Sequence, residues 1–177
     1  MPRIAYQPYD LQEPKELVEA IRARRGGRLL NLDRMLLYSP PLAKGWNGFL
    51  RAVRSELTLS PKLMEIAICS VATLNHAEYE FHHHAPELAK AGATQAQVDA
   101  LSRLDTQEPD ASLFDATERA VIRFTVEMTR DVRVTDATFS AVRAALGNDR
   151  LVVELTGVVA VYNMVSRVLV ALDVQPE

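Results

Sequence analysis

Residues 61–94 read PKLMEIAICSVATLNHAEYEFHHHAPELAKAGAT. Ser60 is a good helix cap and Pro61 is best tolerated in a first helical turn. Leu63, Ile66, Ala67, Val71 and Leu74 then recur at the three-to-four spacing of a buried helix face. Asn75-His76 interrupts this pattern, Ala77 to Ala91 resumes it, and Gly92 supplies a left-handed stop. Two helices joined by a tight turn are expected. All four histidines of the chain, His76, His82, His83 and His84, lie in this stretch. They are interleaved with Glu78, Tyr79 and Glu80, downstream of Glu65 in an otherwise apolar run. Histidine has the unperturbed pKa nearest neutrality, so its whole stock placed among carboxylates marks a site for proton chemistry or metal binding.

The same helical reading extends outward in both directions. Pro14 opens KELVEAIRARR, which stops at Gly26-Gly27. LLNLDRMLLY, residues 29–38, ends at Ser39-Pro40-Pro41, and a further helix is expected from Leu42 to about Leu57 with Trp46, Phe49, Leu50 and Val53 on one face. Thr94 and Gln97 form a capping box for a short helix to about Leu104. DTQEPDAS, residues 105–112, reads as loop. Ser112 to Asp115 should start a long helix to about Arg130, followed by Thr135 to Leu146 and a turn at Gly147-Asn148. The last segment, from Leu151 to Leu172, is valine-rich, but its length and lack of turn residues favour helix over strand. No strand alternation, linker or repeat is present. The expectation is an all-α single domain over residues 1–177 with about seven to nine helices.

Composition narrows the function. The chain has 177 residues, enough for one core, and 48% of them are apolar. A net charge of −3 and the lack of a basic stripe disfavour nucleic acid and anionic membranes as partners. Leu151 to Leu172 is long enough to span a bilayer, yet Glu154, Asn163 and Arg167 make a buried helix the better reading. Cys69 is the single cysteine, so no internal disulfide forms, and the N-terminus carries no secretory pattern. A cytoplasmic setting is expected.

If Ala77 to Ala91 is helical, Glu80 and His84 share a face and His83 lies beside them, with Tyr79 and His83 on the adjoining stripe. Antiparallel packing of the two helices could bring Glu65 against the Glu80/His84 face, and a carboxylate beside an imidazole in an apolar cleft is suited to proton transfer near neutrality. A second reading is a metal site from His76, Glu80 and His84 at i, i+4, i+8, a donor set that suits zinc or iron. A third is a solvated, helix-stabilising face, with His82 the most exposed. Cys69, mid-helix and without a second cysteine, reads as a small hydrophobe. Trp46, Tyr162 and Asn163 could line a pocket.

On these residues the chain resembles the carboxymuconolactone decarboxylase/alkyl hydroperoxidase D-like (AhpD-like) family. The peroxidase branch has Glu, eleven residues, Cys-x-x-Cys, three residues, then His. Glu65 and His84 match the outer positions, and Ala77 and Glu80 replace both cysteines. HHAPELAKAGAT is similar to a run of the family, and residues 29–47 and the last helix look like its longer members. The family core falls at about 42–130. The resemblance implies an all-helical homo-oligomer (dimer, trimer or hexamer). It implies no thiol peroxidase activity, because no peroxidatic or resolving sulfur is present. What remains suits the decarboxylase-like branch: a cofactor-independent lyase acting on a small carboxylated substrate. His84 would be acid/base, Glu65 its orienting partner, Glu80 and adjacent His83 further acid/base groups, and Tyr79 an oxyanion donor, with Arg167 a candidate carboxylate holder. A metal-dependent enzyme or a non-catalytic oligomeric binding protein are the alternatives.

Overall fold

Ser60 and Pro61 start the expected helix: the Ser60 hydroxyl accepts from the Leu63 backbone N–H, and the helix runs Pro61–Leu74 (α4). The computed structural model describes residues 1–107 and 109–177, and among them every regular element is helical. They form two compact units, Met1–Leu57 with Ala171–Glu177, and Thr58–Val170. The expected 105–112 loop includes residue 108, which lies outside the described residues.

The first unit holds α1 (Lys15–Arg24), α2 (Asn31–Leu36) and α3 (Pro40–Ser55), with α1 and α2 both packed on α3. Its polar core forms around two side chains. Asp33 caps the Leu30 N–H at 3.0 Å and pairs with Arg24 and Arg25. The Arg34 guanidinium lies 3.6 Å from the Tyr9 ring centroid and bonds Asn31. A cation on an aromatic face retains part of the stabilisation that water would supply. Asn31 also donates to the Gln175 carbonyl at 3.0 Å, which fastens the C-terminal segment to this unit.

In the second unit α4 is the central element. It packs against α5 (Glu78–Lys90), α6 (Gln95–Leu101) and α7 (Ala116–Asp131), and α7 carries α8 (Asp136–Leu146). Residues 64–72 of α4 are all buried, which explains why its apolar pattern is nearly continuous rather than striped. Buried Glu118 accepts from Lys62 at 2.6 Å, from Gln97 at 3.1 Å and from the Asp115 N–H, joining α4, α6 and α7.

Several boundaries differ from expectation: α3 runs Pro40–Ser55 rather than from Leu42 to about Leu57, and others move for a clear reason. The long helix starts at Ala116, not Ser112, because Asp115 is the cap that Glu118 completes as a capping box; Ser112 sits in a short 3₁₀ turn instead. The Thr94 box forms as expected, but its helix stops at Leu101 rather than Leu104.

The valine-rich last segment is one helix, α9 (Asp149–Leu172). Length and hydropathy alone would let it cross a membrane. Its buried face is instead polar in places. The Glu154 carboxylate accepts from the backbone N–H of Thr58 and Leu59, each at 2.8 Å, and from Arg150. Burial alone would raise the Glu154 pKa, but the Arg150, Thr58 and Leu59 donors together hold it below the ordinary value.

Candidate functional site

The site is built on the turn between α4 and α5. Asn75 ends α4, and His76 adopts a left-handed conformation with φ of 54°. Glycine is the usual residue there, although histidine is among the side chains that tolerate it. The backbone then reverses, so α5 returns along α4 and nineteen residues of chain separate two groups that touch. His84 Nδ1 lies 2.7 Å from Glu65 Oε2. Glu65 is 4% exposed, so the imidazole is the carboxyl group's anchor inside the protein. With Glu65 ionised, a carboxylate can only accept, which places a proton on Nδ1 and leaves Nε2 as the nitrogen that can exchange one. The Tyr162 ring of α9 meets the His84 ring edge to face at 5.1 Å and fixes its plane.

Glu80, one turn before His84, points to α9. Its Oε1 is 3.0 Å from the Ser166 hydroxyl, and its Oε2 is buried with no hydrogen-bond partner. Burial pushes the Glu80 pKa well above the usual carboxylate value, and the Ser166 contact opposes this only in part. Burial thus favours the protonated form of Glu80, one turn from the His84 that meets Glu65. A carboxyl group whose environment favours the acid form, near a carboxylate–imidazole contact, is an arrangement suited to acid/base chemistry.

The remaining expected residues separate into other groups. Tyr79 and His83 stack on each other at 4.4 Å between ring centroids, one turn apart on α5, and His82 meets His83 edge-on. They form the adjoining stripe that their spacing predicts. His82 is exposed, as its place in the triplet suggested. Asn163 donates to the Thr129 hydroxyl and accepts from Asn75 and Arg167, tying α4, α7 and α9 together. Arg167 is engaged in this contact, at 2.7 Å, and with the Asn163 carbonyl. Trp46 is a buried core residue of α3 in the first unit.

The metal set expected as a second reading is not assembled. α5 starts at Glu78, so His76 lies outside the helix and the i, i+4, i+8 ladder does not exist. His76 turns toward Asp105, 3.7 Å away, Glu80 toward Ser166 and His84 toward Glu65. Among the described residues no group of three metal-ligating side chains converges.

A cavity of about 380 Å³ opens at the same turn, with Ala72, Ala77 and Phe81 as apolar lining and His76, His82 and Asp105 as polar lining. Ala77, at one of the two positions where a cysteine would stand, faces it. Cys69 is fully buried on α4. Sequence reasoning missed Ser166. Its partner, Glu80, lies 86 residues away in the chain, and no local signal marks it.

The model of the Carboxymuconolactone decarboxylase family matches residues 40–107. Solved structures share the fold. A peroxidase-related protein from Silicibacter sp. is similar at 19% identity over 94% of this chain and 86% of its own, with a TM-score of 0.76. A cysteine-to-alanine variant of the debrominase Bmp8, in complex with 2,3,4-tribromopyrrole, is similar at 16% identity over 100% and 94%, with a TM-score of 0.81. A peroxidase-related protein from Ralstonia eutropha, described as an AhpD core, is similar at 14% identity over 99% and 92%, also with a TM-score of 0.81. No curated protein sequence matches the chain.

Proposed function

We propose that the chain, whose residues 40–107 match the model of the Carboxymuconolactone decarboxylase family, is a cysteine-independent acid/base enzyme, a lyase of the decarboxylase-like kind acting on a small carboxylated molecule. The observation that carries this reading is the 2.7 Å contact between Glu65 and His84. It keeps the outer acid and base of the family's pattern in working order, while the two sulfur positions hold Ala77 and Glu80. Without a thiolate at either, peroxide reduction through a disulfide has no chemical basis.

In the proposed reaction the bond between the substrate's carboxylate and its neighbouring carbon breaks. Carbon dioxide leaves and the electron pair stays behind as an enolate. A proton from the His84 imidazolium, held by Glu65, quenches that carbon, and water restores the proton. Tyr79 is the donor to the enolate oxygen in this scheme, with His83 stacked on its ring. General acid–base assistance of this kind contributes about 10²–10⁴-fold. The reading includes self-association, for which the exposed Val153, Met164 and Val170 of α9 provide apolar surface.

The test is turnover of a panel of carboxylated lactones by the full chain, followed as carbon dioxide release. Loss of at least roughly 10²-fold in kcat for His84→Ala and Glu65→Gln is expected. Turnover unchanged in both variants would sink the mechanism, and no turnover across the panel would favour a binding protein.

A further inference from the structure

Ser166 is completely buried on α9, and its hydroxyl oxygen has two neighbours: the Tyr162 carbonyl at 2.9 Å and Glu80 Oε1 at 3.0 Å. A serine hydroxyl has one hydrogen to give and lone pairs to receive. The Tyr162 carbonyl can only accept, so it claims that hydrogen. The second contact then becomes a full hydrogen bond if the Glu80 carboxyl is the donor. An ionised Glu80 would have to compete with a carbonyl for one proton, in a site that is 2% exposed and where no cation pairs with it among the described residues. The neutral acid satisfies all three groups at once.

We propose that Ser166 is the positioning residue of the site: it receives the proton of a neutral Glu80 on Oε1 and so holds that carboxyl uncharged, one turn from His84. This rests on the reading of His84 as the acid/base group. The geometry carries it: one hydroxyl hydrogen, two oxygen neighbours, and a carboxyl group removed from water. Burial, the largest influence on Glu80, also favours the neutral acid.

Glutamine reproduces the neutral acid in this geometry, since its amide N–H can donate to Ser166 while its carbonyl keeps the place of Oε2. Difference infrared spectra of wild type against Glu80→Gln at about pH 7 should contain the C=O stretch of a protonated carboxyl, and Ser166→Ala should shift or abolish that band. Absence of the band, or a band unmoved in Ser166→Ala, overturns the positioning role. A carboxyl band without lactone turnover leaves this inference standing and removes the lyase reading; turnover without the band does the reverse.

Discussion

His84 and Glu65 meet at 2.7 Å across nineteen residues of chain, and the Glu65 carboxylate is almost wholly removed from water. A buried pair of this kind is costly to assemble and more costly to leave half made, because the remaining group stays buried and loses a close charged neighbour. His84→Leu should therefore destabilise the protein by about 3–5 kcal/mol. The double variant Glu65→Leu/His84→Leu should recover most of that. Urea midpoints of the wild type, His84→Leu and the double variant at constant m-value check it, and a double variant weaker than His84→Leu contradicts a paired role.

Glu80 predicts a different pH dependence. Its folded pKa is raised above the ordinary 4.5, so the native state binds this proton more tightly than the unfolded chain does. The stability it contributes is fully present below about pH 4.5 and is lost as pH rises toward the folded value. Glu80→Gln cannot titrate and removes that loss. The other ionisable groups are common to both proteins, so the comparison isolates Glu80. The variant should gain on wild type in thermal unfolding as pH rises above the ordinary carboxylate value of about 4.5. Parallel curves would mean that Glu80 is ionised in the folded protein.

Peroxide chemistry gives the plainest negative. Cys69 is the only sulfur nucleophile and is fully buried on α4. Consumption of an organic hydroperoxide with a dithiol donor should stay at the uncatalysed rate, and Cys69→Ser should leave that result unchanged. Robust turnover would require a peroxidatic group other than a thiolate.

Val132 ends α7 with φ of 63° and its side chain 82% exposed. A β-branched residue in this conformation costs roughly 1–2 kcal/mol, while glycine costs some backbone entropy. Val132→Gly should stabilise the protein by roughly 0.5–1 kcal/mol, read as a higher urea midpoint. A lower midpoint would show that Val132 contributes packing that outweighs the strain.

Most of the helices were legible because their ends carry local chemistry. Ser60-Pro61, the Thr94–Gln97 box and the left-handed Gly92 and Gly147 each act within four residues, so a reader of the chain sees cause and effect together. The Asp115 start was misplaced because Ser112 and Asp115 are both good caps, and Glu118, which decides between them, owes its position to Lys62 and Gln97 on other helices. The Glu65–His84 pair could be anticipated from helix pairing. Ser166 could not, because its partner lies 86 residues away and nothing local distinguishes it. The metal ladder failed for a backbone reason: one left-handed residue, His76, takes the helix start two positions past it.

Ala77 and Glu80 occupy the α5 end of the turn, whereas Glu65, Tyr162 and Ser166 come from α4 and α9. The type of reactivity is thus confined to one helical turn, and the surroundings that tune it are built elsewhere in the unit. Ala77→Cys/Glu80→Cys would exchange a proton-holding acid for an oxidisable pair without touching the Glu65–His84 contact. A fold organised in this way lets a lineage change what it does to electrons by altering two side chains, while the geometry that handles protons is inherited intact.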